Sequence, residues 1–378
     1  MEYRELGNSG IKVSAVGMGG EYLEYTDRDT VIRTLHRAME LGVNILDIFM
    51  SNPEVRTNIG LALKGKRSDM IIQGHVCSVW ENGQYLRTRD LGKSKLSLED
   101  LLERLQTDYI DIGMLHYVDT AEDWKKAQES GVLDYMLKLK DEGRFRMLGV
   151  SSHDPVVAME MVESGLFSVL MFSINLSFDL VYGRRDINDI FDDAADIPDH
   201  LDIDRDRARL YALCEEKGVG ITVMKALGAG RLLRAETSPF KVPMTVNQCI
   251  HYALARPAVS SVLIGAGAEK EIEEAVAYFD ATEAERDFTG IYGHIGAAEK
   301  SCLYCNHCLP CPQHINIAGV TRLLDEGRIG MTAALRESYV ALDAKASACI
   351  ACGACEKRCP FGVKVIENMR SVAQMFEA

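Results

Sequence analysis

Eight of the chain's 11 cysteines fall between residues 302 and 359, in two runs that leave the C-terminal quarter few ways to fold. Cys302, Cys305 and Cys308 are followed by Cys311-Pro312, and Cys349, Cys352 and Cys355 by Cys359-Pro360. The second run is C-x2-C-x2-C-x3-C-P, while the first has two residues before its last cysteine. Three thiolates spaced two apart can take three corners of an iron-sulfur cube, and in two-cluster proteins the fourth cysteine, before proline, serves the other cluster. That rule assigns Cys302, Cys305, Cys308 and Cys359 to one [4Fe-4S] cluster. It assigns Cys349, Cys352, Cys355 and Cys311 to the other. Two tetrahedral zinc sites are the alternative, since C-x2-C also suits zinc; two quartets that each end in Cys-Pro favour iron and sulfide. Clustering of this kind differs from the even scatter of a disulfide framework.

Between the two runs, Ile317, Val320, Leu323 and Leu324, then Met331, Leu335 and Val340, recur at helical spacing. The stretch from Ile315 to Ala346 therefore reads as helix, and the module resembles the α-helical ferredoxins of respiratory and anaerobic reductases. That resemblance implies two clusters close enough for electron hopping, with a purely structural role as the alternative.

The remaining composition is ordinary for a globular chain, with 47% hydrophobic and 26% charged residues. A net charge of −14 would repel a phosphate backbone at long range, so nucleic acid is not an expected partner. No apolar run reaches the roughly 18 residues needed to cross a bilayer, so no membrane partner is expected. The start, MEYRELGNSG, carries no secretion or import signal, so a cytoplasmic location is expected.

From Met1 to about Thr282, short apolar β-rich runs alternate with helical patterns, the signature of a parallel sheet built from βα units. Eight strands are expected, at Ala15–Met18, Asn44–Asp47, Met70–Gly74, Tyr109–Leu115, Met147–Ser151, Val169–Ser173, Gly220–Lys225 and Ser261–Ile264. Eight units in about 280 residues fit an α/β (β/α)8 TIM barrel. A doubly wound sheet is the runner-up, but no strand leads into G-x-G-x-x-G. The expected division is a barrel over 1–285 and a small helical ferredoxin-like domain over 286–378. Barrel chemistry belongs at the C-terminal ends of the strands, which selects Asp47, His75, His116, Ser151 to His153, Asn175 and Lys225.

The opening YRELGNSGIKVSAVGMGG, then GVNILDI, DYIDIGMLH, LGVSSH, GVGITVMKALGAGRL and VLIGAGAEKEIEEAV run in the order of aldo-keto reductase landmarks. The chain resembles that family, in the branch with a C-terminal ferredoxin-type module. The resemblance implies reduction of a small-molecule carbonyl with NADPH, using a tyrosine as proton donor, a lysine, an aspartate and a histidine. By motif, Asp47 matches the aspartate and His116 the histidine, whereas Asn52 stands at the tyrosine position and His75 at the lysine position. Asparagine cannot act as a general acid near neutral pH. Asp47, His75 and His116 are therefore the candidate catalytic residues. His75 beside Asp47 is expected to favour its imidazolium form, and Tyr22 or Tyr25 are alternative acids. Cys77, two positions beyond His75, is either redox-active or an inert loop thiol. A metal at the mouth, held by Asp47, His75, His116 and His153, is a third reading.

For the cofactor, the resemblance implies Ser151, Ser152 and Asn175 at the nicotinamide carboxamide, with Ala226, Leu227, Gly228 and Gly230, then Gly265, Ala266, Gly267 and Lys270, in the loops that clasp the rest of NADP(H) or NAD(H). Lys225 stands where many members place an aromatic, and would suit a flavin phosphate or an anionic substrate. Nicotinamide moves two electrons together and a [4Fe-4S] cluster one at a time, so the pair has to be split, by FMN in the barrel, by the flavin of a flavoprotein partner, or by a substrate that takes electrons singly as a radical; a ferredoxin is the alternative electron partner. The acidic segment from Arg184 to Arg207, with nine aspartates, reads as a solvated insertion, with a lid or a docking surface as alternatives. The expected function is an iron-sulfur oxidoreductase acting on a small organic substrate. The alternative is a non-catalytic electron-transfer component whose barrel serves as a docking scaffold.

Overall fold

The computed structural model describes residues 1–180, 203–236, 238–294, 308–309, 311–359 and 363–377. Cys302, Cys305 and most of the acidic segment lie outside the described residues. The chain divides into two compact units, and the second takes over at Phe288.

A hairpin opens the chain, β1 (Tyr3–Glu5) against β2 (Lys12–Ser14). Eight parallel strands follow, β3 (Val16–Gly19), β4 (Ile45–Ile48), β5 (Ile71–Val76), β8 (Ile110–Leu115), β9 (Phe145–Ser152), β10 (Val169–Ser173), β11 (Gly220–Met224) and β12 (Val259–Gly265). They close into a barrel in that order, with Val262 beside Val16 and Gly265 beside Gly19 joining the last strand to the first. All eight expected strands are present. Side chains alternate across a strand, so every second residue enters the barrel. Ile45, Ile112, Met114, Met147, Val169, Met171 and Leu263 form the filling, and Leu6 and Val13 of the opening hairpin pack against it. That hairpin sits at the N-terminal ends of the strands, where a Cβ on Gly7 (φ +55°) would come within 2.3 Å of the Gly218 carbonyl. Only glycine fits there, and the open mouth is left at the opposite end.

Among the elements that the sequence reading did not name are a helix and a second hairpin. The helix Pro53–Ala62 starts directly after β4, with proline at its first turn and the Asn52 side chain accepting from the Glu54 amide at 3.0 Å. A second hairpin, β6 (Ser78–Glu81) with β7 (Gln84–Arg87), projects after β5. Its turn is Asn82-Gly83, with φ of +53° and +76°, the backbone that a two-residue turn between twisted strands demands. Arg89 anchors its base, donating to the carbonyls of His116 at 2.9 Å and Tyr117 at 2.8 Å.

Helix Leu176–Leu180 and helix Arg205–Lys217, which flank the acidic segment, are tied by buried Asp179. Its carboxylate accepts from Arg207 Nε, Tyr211 OH and Tyr252 OH, each at 2.7 Å.

In the second unit the helical stretch between the cysteine runs is two helices, Ile317–Ile329 and Ala333–Val340, parted at Gly330 and restarted by Thr332, whose hydroxyl accepts from the Leu335 amide. The first packs against Val365–Phe376. No described helix is long and apolar enough to cross a membrane.

Candidate active site

The sheet register places the site. Asp47 on β4 lies opposite Gln73 on β5, and Gln73 and His75, two residues apart, present their side chains to the same face. Gln73 Nε2 donates to Asp47 Oδ1 at 2.9 Å, and His75 Nε2 lies 2.8 Å from the same oxygen. The other ring nitrogen of His75 is 2.8 Å from His116 Nδ1, just beyond β8. His116 Nε2 lies 2.5 Å from the Tyr85 hydroxyl, which the β6–β7 hairpin hangs over the mouth. Phe49 stacks flat on His116, with ring centres 5.7 Å apart and planes 4° from parallel. Asp47, His75 and His116 are thus one buried file. Burial first, then the electrostatic influence of His75 and of the Arg89 and Arg87 guanidiniums, hold the His116 imidazole well below its ordinary range, so it is neutral. Burial pushes the Tyr85 phenol up to about 12.

A second group lies beside the first. His153 Nδ1 is 2.9 Å from Asp119 Oδ2, and His153 Nε2 is 3.1 Å from Lys225 Nζ. Lys225 has φ +61° and its carbonyl accepts from Asn175 Nδ2 at 2.8 Å. Burial lowers the Lys225 ammonium to about 8, with Glu21 and Asp119 opposing the shift. Burial raises the Glu21 carboxyl, with Lys225 opposing.

Both groups open into one cavity of about 750 Å3, within the range of small-molecule and cofactor sites. Of the residues expected from sequence, Asp47, His75, His116, Ser151, His153, Lys225, Ala226, Leu227, Gly230 and Gly265 line it. Ser152, Asn175, Gly228, Ala266, Gly267 and Lys270 are not among its lining residues, and Lys270 is exposed. Lining residues that sequence reasoning missed include Tyr85, Glu21, Phe49 and Arg234. The Asn-Gly pair between two β-prone runs was the available signal for Tyr85.

The fate of the alternatives is physical. Asn52 caps a helix and does not line the cavity. Tyr22 lines it, but Tyr25 is 75% exposed and does not. Cys77 is wholly buried, with φ +76°, and burial pushes its thiol up, so it is an inert packing residue. The ring nitrogens of the mouth histidines face one another, Asp47, Tyr85, Asp119 and Lys225. Among the described residues no three His, Cys, Asp or Glu are arranged to hold a single metal ion.

In the second unit Cys311, Cys349, Cys352 and Cys355 line one cavity, walled by Ile315, Ile317, Val365, Ile366 and Met369. Left-handed backbone at Ala351 (φ +53°) and Gly353 (φ +70°) curls the C-x2-C-x2-C loop around it. Four soft thiolate donors in an apolar cradle suit an iron-sulfur cube, which takes each sulfur at a different iron and so holds them wider than one ion would. Of the other quartet, Cys308 and Cys359 are described.

Residues 15–248 match the Aldo/keto reductase family, and residues 301–364 match a 4Fe-4S dicluster domain. Aldo-keto reductase YhdN of Bacillus subtilis is 31% identical over 40% of this chain, a match that spans 47% of YhdN. The uncharacterized oxidoreductase YqkF of the same organism is 28% identical over 72% of this chain and 90% of its own length. The holo form of aldo-keto reductase AKR11C1 from Bacillus halodurans superposes with a TM-score of 0.61 at 26% identity, covering 79% of this chain and 97% of that one. The chain belongs to the aldo/keto reductase family of oxidoreductases, with a 4Fe-4S dicluster domain following the barrel.

Proposed function

We propose that the protein interconverts a small carbonyl compound and its alcohol at the barrel mouth, with two [4Fe-4S] clusters handling electrons one at a time. The observation that carries this reading is the buried hydrogen-bonded file of Asp47, His75 and His116, opening into a cavity of about 750 Å3. A docking scaffold has no need for three buried titratable groups in mutual contact, since such groups are costly to bury unless paired.

Bound at the mouth, reduced NADP(H), NAD(H) or FMN would supply a hydride to carbonyl carbon. Ser151, Lys225, Ala226, Leu227, Gly230 and Gly265, which line the cavity, would hold it. Cys311, Cys349, Cys352 and Cys355 would hold one cluster, and Cys302, Cys305, Cys308 and Cys359 the other; bound clusters supply one-electron transfer. Asp47 orients His75 through Nε2, His75 orients His116, and Phe49 fixes the plane of the His116 ring. A ferredoxin or flavoprotein is the proposed electron partner.

Anaerobic titration with NADPH, NADH and dithionite, followed by visible absorbance, tests the reading. Turnover of a carbonyl probe such as methylglyoxal, together with cluster bleaching by dithionite, is expected. Bleaching without turnover under any reductant would return the chain to the carrier alternative.

A further inference from the structure

The file in the barrel does not end at His116. Its last member touches a phenol that no βα unit supplies, carried in by the hairpin that the Asn82-Gly83 turn folds back over the mouth. We infer that Tyr85 is the proton donor and acceptor of the barrel reaction, as the terminus of a four-membered proton relay running Asp47, His75, His116, Tyr85. This deepens the carbonyl–alcohol reading and rests on it.

Three distances define the relay, 2.8 Å from Asp47 to His75, 2.8 Å between the histidines and 2.5 Å from His116 to Tyr85. Every link is within hydrogen-bond range. Asp47, His75 and His116 are all nearly excluded from solvent, whereas Tyr85 is 37% exposed. All four line the cavity, and the phenol is the member of the file that meets the mouth most openly. Arg89 fixes the carbonyls of His116 and Tyr117, and the Arg87 guanidinium lies 3.7 Å over the Tyr117 ring, so the hairpin and the loop after β8 are joined on both sides.

Counting hydrogens gives the relay a direction. With both histidines neutral, His75 donates from Nε2 to Asp47, His116 donates from Nδ1 to His75, and Tyr85 donates to Nε2 of His116. The phenol oxygen then faces the mouth as an acceptor, ready for an alcohol proton. With one more proton, held as imidazolium at His75 beside the Asp47 carboxylate, His75 still donates to Asp47 from Nε2 and the other two links reverse. His75 donates from Nδ1 to His116, His116 from Nε2 to Tyr85, and the phenol O–H points at the substrate.

In reduction, a hydride from reduced nicotinamide or reduced flavin forms the new C–H bond, and the C=O π pair moves onto oxygen. That oxygen takes the Tyr85 proton, Tyr85 takes the His116 Nε2 proton, and His116 takes the His75 Nδ1 proton. Two electrons and one proton arrive with the hydride, a second proton comes from the relay, and His75 ends neutral but still bound to Asp47. The oxidation runs the same file backward. The residue at position 52 is free to cap a helix because the phenol reaches the mouth from another direction.

Two measurements on the full anaerobic protein test this. In the first, Tyr85→Phe, an isosteric change on a partly exposed hairpin, is assayed with methylglyoxal and either NADPH or NADH. It should lower kcat by roughly 100-fold, the usual size of a lost acid–base group, with KM held within about threefold. In the second, nitrogen-15 spectra of the histidines are recorded with no nicotinamide present. Tyr85→Phe should shift His116 Nε2, and Asp47→Asn should shift nitrogens of both His75 and His116. Turnover that survives Tyr85→Phe, or an unmoved His116 Nε2 resonance, overturns the relay alone. Wild-type protein that turns over no carbonyl probe overturns the functional reading, and the proton-donor role with it.

Discussion

The Tyr85 hydroxyl lies 2.5 Å from Nε2 of His116, although one residue comes from a hairpin after the third barrel strand and the other from the end of the fourth. The contact gives a chain with asparagine at position 52 a phenol at its mouth. It also ties a surface hairpin to a carboxylate buried in the barrel.

Asp47 anchors that file, and its charge decides which tautomer His75 adopts. Asp47→Asn keeps the shape but replaces the acceptor with a group that can also donate. We expect kcat to fall by about 100-fold or more, within the range for impaired acid–base catalysis, with an unchanged far-ultraviolet dichroism spectrum. Steady-state kinetics on wild type and variant check this.

Lys225 gives the site a pH limb. Burial lowers its ammonium to about 8 from the ordinary lysine range, so the cation at the mouth is lost as pH rises through that value. Binding of an anionic substrate or cofactor phosphate should weaken above about pH 8, and Lys225→Met should abolish that limb of the kcat/KM profile. The stability effect has the opposite sense. Between about pH 8 and the unfolded lysine pKa, the unfolded chain binds more protons than the folded one. Stability therefore rises with pH across that window as the buried charge is relieved.

Much of this was legible in sequence, for reasons that differ by residue. Strands such as Ile110–Leu115 and Val169–Ser173 are buried along their whole length and read as short, mostly apolar runs, the first interrupted by Asp111 and the second ending at Ser173. Asp47, His75 and His116 were legible because strand-end position in a barrel is itself a functional signal. Tyr85 was not, because its contact with His116 is non-local and rests on a hairpin inserted between barrel units. Asn52, which sequence chemistry already set aside as an acid, caps a helix, a local role that its motif position did not reveal. The break at Gly330 was hidden because apolar spacing continues on both sides of it.

Asp179 is the buried charge on which the flanks of the acidic segment depend. It receives Arg207, Tyr211 and Tyr252, so Asp179→Ala would leave the Arg207 guanidinium buried without its carboxylate. A loss of roughly 3 kcal/mol is expected. Urea unfolding followed by intrinsic fluorescence would register it as a lower midpoint of the barrel transition.

In the second unit, Cys352 is an exposed member of the quartet Cys311, Cys349, Cys352 and Cys355. Replacing one thiolate corner of a cube weakens that cube and spares the other. Cys352→Ala should reduce iron and acid-labile sulfide toward about half of the wild-type content, while the barrel retains its thermal transition.

One-electron transfer by this chain requires that its eight C-terminal cysteines hold iron and sulfide. Metal and acid-labile sulfide analysis of anaerobically purified protein tests it most directly. About eight iron and eight sulfide per chain are expected, as two cubes require. Zinc in place of iron, with no labile sulfide, would contradict it.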